Sequence, residues 1–138
     1  MSATSFLDTN ILLYSISGDM TEGPKRERAA ALLERDDVAV SVQVLSEFYV
    51  QATRTSRPDA LPHAIAAGLV RCWLRFTVQE NTVAVLQQAL EIKAAHRFSY
   101  WDSAILAAAM ALGCREVLSE DMSHGRVVEG LRIVNPFR

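Results

Sequence analysis

The sequence predicts an α/β domain of three layers, with helices on both faces of a central, mostly parallel sheet of about five short strands. Three observations predict it. Short β-forming runs alternate with longer helical ones, the pattern that crossover connections between parallel strands leave in a chain. Half of the 138 residues are apolar and 22% are charged, a globular composition with enough apolar material for one substantial core. No internal repeat or low-complexity tract interrupts the alternation, so residues 1–138 read as one domain.

Each element has a local reason. SFL, residues 5–7, reads as the first strand, and NILLYSI after Asp8 as a short helix that Gly18 breaks. Pro24 suits the first turn of a second helix, KRERAAALLER, which alanine and leucine favour. VAV at 38–40 is a second strand. Ser41 is placed to cap VQVLSEFYVQATR, with Val44, Leu45, Phe48, Tyr49 and Ala52 as its apolar face. Leu61, Ile65, Leu69, Cys72 and Trp73 recur at helical spacing, and FTV at 76–78 is a third strand. Val83, Leu86, Leu90 and Ala94 mark another amphipathic helix. Ser99 leads into YWDSAILAAAMALG, which Gly113 closes. EVLS from Glu116 and RIVN from Arg132 are the fourth and fifth strands, and Pro136 ends the last.

The bulk chemistry narrows the function classes. No apolar run approaches a membrane span, and no basic start leads into an apolar block with a cleavage site, so the expected location is cytoplasmic with no membrane partner. Cys72 and Cys114 lack metal spacing and read as buried thiols. The net charge of −2 argues against gripping a polynucleotide by bulk electrostatics. Any action on nucleic acid must draw on local arginines and bound cations. Lys25, Arg26 and Arg28 read as a solvated helix face, and His124 on its turn as structural or solvated.

The acids carry the functional signal. In a parallel sheet, function gathers beyond the carboxyl ends of the strands. Asp8 follows the first strand directly, and Asp121 follows the fourth within three residues. Glu47 lies under two turns into the helix after the second strand, and Asp102 in the first turn of the helix before the fourth. Taken singly, Asp8 reads equally as a helix N-cap, Asp102 as a favourable first-turn acid, and Asp121 with Glu120 as a solvated turn. Glu47, among Val44, Phe48 and Val50, is costly there unless it faces a cleft or a partner. Taken together, four converging carboxylates would disfavour one another's ionisation unless a hard divalent cation joined them. Such a site activates water and steadies the charge of a phosphodiester under attack.

The order FLDTNILLY, VQVLSEFYV, SYWDSAILAAA and VLSEDMSHG resembles a PIN-domain ribonuclease, and in particular the toxins of the virulence-associated protein C (VapC) family. The likeness runs along nearly the whole chain to the ending GLRIVNPF, with LDTN and YWDSAI its most specific parts. The resemblance implies an Mg²⁺- or Mn²⁺-dependent endoribonuclease, the toxin of a type II toxin–antitoxin pair, hydrolysing RNA with metal-activated water. It implies Asp8, Glu47, Asp102 and Asp121 as the catalytic and metal-binding quartet, with Asp121 chosen over Glu120 as the fourth acid. Thr9, Asn10 and Ser119 match the polar positions that orient such carboxylates. A homodimer and a small cognate antitoxin that obstructs the site are implied as well.

Three other readings compete. Phosphoryl transfer through an aspartyl phosphate wants a second aspartate two residues after the first, and Asn10 stands there. A receiver domain wants an acceptor aspartate at the third strand and a later lysine, yet that strand ends in Val78-Gln79 and no lysine follows Lys93. A catalytically silent PIN-like scaffold that binds RNA or protein remains the alternative function.

Overall fold

The computed structural model describes residues 3–138. Its elements are β1 (Ser5–Leu7), α1 (Thr9–Ser15), a single 3₁₀ turn (Met20–Glu22), α2 (Gly23–Leu33), β2 (Val38–Ser41), α3 (Val42–Ala52), α4 (His63–Trp73), β3 (Thr77–Gln79), α5 (Val83–His96), α6 (Tyr100–Ala111), β4 (Glu116–Leu118), β5 (Val127–Val128) and β6 (Leu131–Val134). The strands form one sheet in the order β3-β2-β1-β4-β6-β5, parallel except for the β5–β6 pair. Helices layered on this sheet give the three-layer α/β/α domain that the alternation of elements predicts. No helix among the described residues is long and apolar enough to cross a membrane.

The cap that the sequence proposes at Ser41 forms, and the structure adds one at Ser99. Ser41 accepts the Val44 amide at 3.1 Å and starts α3, and Ser99 accepts the Asp102 amide at 3.1 Å and starts α6. Each satisfies an amide that a helix N-terminus leaves without a partner. Pro24 sits in the first turn of α2, and Gly113 adopts φ +72° just past α6. Phe48 on α3 is fully buried and meets Trp73 of α4 edge-to-face at 4.7 Å, locking the two helices together.

Four expectations are corrected. The sheet has six strands: the sequence reading passes over β5, which pairs antiparallel with β6 through a two-residue turn. Glu129 (φ +49°) and Gly130 (φ +87°) both take positive φ there, as such hairpin turns require, and a glutamate in that place hides the usual Asn-Gly or Asp-Gly signal. The third strand lies at Thr77–Gln79, not 76–78. On α5 the core side is Ala89 and Ile92, while Val83, Leu86 and Leu90 are exposed; on α4, Ile65 and Cys72 are exposed and Ala66 and Trp73 buried. Both helices carry apolar residues on more than one face, so periodicity does not say which face meets the sheet. Only Cys114 is a buried thiol, its pKa pushed up to about 11 by burial.

Ser41→Ala removes the acceptor for a buried amide at the start of α3. Urea unfolding should show a loss of about 1 kcal/mol. An unchanged midpoint would mean that the cap does not hold this helix.

Candidate active site

Because β1, β2 and β4 are parallel, their carboxyl ends leave the sheet at one edge. β1 delivers Asp8 there, β4 delivers Ser119–Asp121, and β2 runs through Ser41 into α3, which carries Glu47. The Asp8 amide donates to the Leu118 carbonyl at 3.0 Å, which stitches the first two exits together.

Asp8 is the interior member, 6% exposed. One carboxylate oxygen accepts the Thr9 amide at 2.7 Å and so caps α1; the other accepts the Ser119 hydroxyl at 2.7 Å. Burial raises its pKa to about 6 from 3.8, against the lowering pull of those two bonds, and the charges of Asp102 and Asp121 raise it further. Asp102, half-buried, is raised by burial and also by Asp121. The charges of Asp102 and Asp121 thus reach Asp8, and that of Asp121 reaches Asp102.

The side chains of Asn10, Ser119 and Thr9 each bond one of the four carboxylates. Asn10 donates to Asp121 Oδ2 at 3.0 Å. Ser119, fully buried, also accepts the Asp121 and Met122 amides at 3.2 and 3.3 Å. Thr9 makes a long 3.4 Å bond to Glu47. Glu47 is held more firmly by Gln43, whose amide donates to Oε1 at 2.7 Å and reaches the Trp101 carbonyl at 3.3 Å, tying α3 to the first turn of α6.

Gln43 is a residue that the sequence reading misses, although a glutamine four positions before an acid on a helix is a local signal. Tyr14 and Lys25 are missed too. Both bond the Glu120 carboxylate, Lys25 as a salt bridge, and through these bonds they outweigh burial and hold Glu120 below the usual glutamate range. That pairing crosses nearly a hundred residues of sequence and leaves no local trace. Lys25 is therefore not a free member of a solvated face; Arg26 and Arg28 bond the Ser17 and Pro136 carbonyls. His124 is structural, accepting the Asn135 amide at 2.9 Å.

Among the described residues no salt bridge reaches Asp8, Glu47, Asp102 or Asp121. Nor are any three His, Cys, Asp or Glu side chains there gathered tightly enough to enclose an ion by themselves. The donor set, hard carboxylate oxygens with uncompensated charge, still fits a cation that takes one or two carboxylates directly and keeps water elsewhere. Beside the acids, a groove of about 830 Å³ is lined by Gln43, Glu47, Val83, Leu86, Tyr100 and Trp101.

The sheet edge thus carries Asp8 bonded to Ser119, with the charges of Asp102 and Asp121 within reach of it and Glu47 joined through Thr9. Residues 5–129 match the PIN domain model, and the chain belongs to the PIN domain family. No curated protein sequence matches it. Among solved structures, a toxin–antitoxin complex from Klebsiella pneumoniae is similar over 96% of this chain and 98% of its own, with TM-score 0.72 and 18% identity. VapC20 of Mycobacterium tuberculosis, a sarcin-ricin loop cleaving toxin, matches over 86% and 92% with TM-score 0.66 and 22% identity. DNA-bound VapBC from Salmonella typhimurium matches over 95% and 96% with TM-score 0.66 and 20% identity. At such identities the likeness establishes the fold.

The raised pKa of Asp8 has a stability consequence with a definite sign. Between about pH 4 and 6 the folded protein holds a proton that the unfolded chain has released, so this group's contribution falls as pH rises through that window. In chelator at pH 7.5, Asp8→Asn should be more stable than wild type by up to about 3 kcal/mol. The gain should vanish by pH 4. Urea titrations at the two pH values check this; equal stability at pH 7.5 contradicts it.

Proposed function

We propose that this protein is a divalent-metal-dependent endoribonuclease, the toxin of a toxin–antitoxin pair. The observation that carries the reading is a buried Asp8 within reach of the charges of Asp102 and Asp121, with Glu47 joined through Thr9 and no salt bridge to any of the four among the described residues. Unbalanced negative charge at a strand edge is unfavourable for the fold and repels a polyanion. A cation that meets a phosphate there gives it a use. Family membership and the similarity to VapC20 and to toxin–antitoxin complexes support the choice of RNA and of an antitoxin partner.

Asp8, Asp102 and Asp121 would hold Mg²⁺ or Mn²⁺. When bound, such a cation would supply charge neutralisation at the phosphodiester and a more acidic water. Ser119 and the Thr9 amide fix both oxygens of Asp8, and Asn10 fixes one oxygen of Asp121. Glu47, bonded by Gln43 and Thr9, keeps lone pairs for a hydrogen bond that aligns the attacking water. Hydrolysis breaks one P–O bond and leaves a phosphate end and a hydroxyl end on the RNA.

With Mg²⁺ or Mn²⁺ the purified protein should cleave RNA, and EDTA should stop it. Asp8→Asn and Asp121→Asn should lower the rate at least a hundredfold while circular dichroism stays native. If wild type and Asp8→Asn leave a broad RNA pool equally untouched and neither binds Mn²⁺, the reading is wrong, and the silent PIN-like scaffold replaces it.

The partners in this reading are a second copy and a small antitoxin. Val83 (71% exposed), Leu90 and Leu86 form an apolar stripe that a second copy would cover, and an antitoxin segment in the adjoining groove would obstruct Glu47. Light scattering should give a dimer mass for wild type and a monomer mass for Leu86→Glu. A wild-type monomer removes the second copy from the reading.

A further inference from the structure

Glu120 and Asp121 are adjacent in sequence and carry the same charge, yet their side chains have different partners. The difference is made by residues far away in the chain. Tyr14 donates its hydroxyl to Glu120 Oε1, and Lys25 donates to Oε2 at 2.5 Å and lies 3.3 Å from the Tyr14 oxygen. The Lys25 ammonium also lies 4.9 Å from the centre of the Tyr14 ring and 5.8 Å from that of Phe137, and the two rings meet edge-to-face at 5.0 Å. Residues from α1, α2, the loop after β4 and the C-terminal segment therefore meet around one carboxylate.

The same loop is held one helical turn earlier on α1. Asn10 and Tyr14 are four residues apart and so share a helix face. Asn10 accepts the Glu120 amide through a long 3.5 Å bond and donates to Asp121 Oδ2, while Tyr14 takes the Glu120 side chain. Ser119, the residue before, is bonded to Asp8. The loop thus docks residue by residue on α1 and the end of β1, and its only ionic anchor among the described residues is Lys25. With its own cation, Glu120 has no call on a metal held by its neighbour.

From this we infer that Lys25, acting through Glu120 with Tyr14, is a positioning residue for Asp121: it fixes the loop after β4 so that Asp121, and not Glu120, faces the acidic site. The metal-binding consequence rests on the nuclease reading; the loop-fixing consequence does not. Lys25 touches neither the substrate nor the cation in this account.

The test compares wild type with Lys25→Met, Lys25→Arg, Glu120→Gln and the Lys25→Met/Glu120→Gln double variant. In chelator, amide hydrogen exchange at Asp121 and Met122 should speed up about tenfold in Lys25→Met and return most of the way in Lys25→Arg. Mn²⁺ affinity, measured by titration without RNA, should fall several-fold in Lys25→Met, and kcat should fall with it while KM for RNA holds. Glu120→Gln should reproduce part of each effect, and adding Lys25→Met to it should change little further. Unchanged exchange at Asp121 and Met122 in Lys25→Met overturns the inference. So does a raised KM with Mn²⁺ affinity intact, which would make Lys25 a phosphate contact. If exchange responds as stated but wild type neither binds Mn²⁺ nor cuts RNA, the positioning role stands and the nuclease reading falls. A Lys25→Met variant that fails to fold shifts the decision to Glu120→Gln and Tyr14→Phe, which keep the packing and must still speed exchange at Asp121 and Met122.

Discussion

A carboxylate carried into the interior at the end of a central strand sets the terms for everything around it. Asp8 loses water that an exposed aspartate keeps, and no basic side chain among the described residues pairs with it. Such a group persists only if its oxygens find other donors. They find the first amide of α1 and the hydroxyl of Ser119. These two bonds join β1, α1 and the loop after β4, so a residue that is costly to bury also fixes the geometry of the site.

That arrangement extends outward in a graded way. Ser119 turns its second role, as acceptor for the Asp121 and Met122 amides, into the shape of the loop. Asn10 then restrains Asp121, and Tyr14 with Lys25 restrains Glu120. Two neighbouring acids of like charge are thereby separated by their partners, one paired with a cation of the chain and one not. On the other side Gln43 does for Glu47 what Asn10 does for Asp121 and links it to the start of α6. The acids sit on a strand end, helices and a docked loop, which hold direction better than a free loop would.

The apolar surface beside the acids follows a different logic. Val83, Leu86, Leu90 and Trp101 are exposed, while Ala89, Ile92 and Ala104–Ala109 seat α5 and α6 on the core. Small residues let these two helices and the sheet approach closely, and the larger apolar side chains are left outside. In the proposed function this stripe is the surface that a second copy covers.

The sequence by itself determined the order of the elements other than β5, the cap at Ser41, the option of a cap at Asp8, the glycine end of α6 and the family resemblance, because each depends on residues within a few positions of one another. It also indicated the strand and helix ends where the four acids lie, since strand exits of a parallel sheet share an edge whatever the details of packing. The β5–β6 hairpin escaped it because an unusual residue occupies a positive-φ turn position. The buried sides of α4 and α5 escaped it because a helix apolar on several faces does not say which one meets the sheet. Only the tertiary structure decided which of Glu120 and Asp121 is paired, that Lys25 and Tyr14 do the pairing, and that Gln43 holds Glu47 against α6. Apart from the step from Gln43 to Glu47, those contacts join residues tens of positions apart. Their chemistry exists only once folding has brought the segments together.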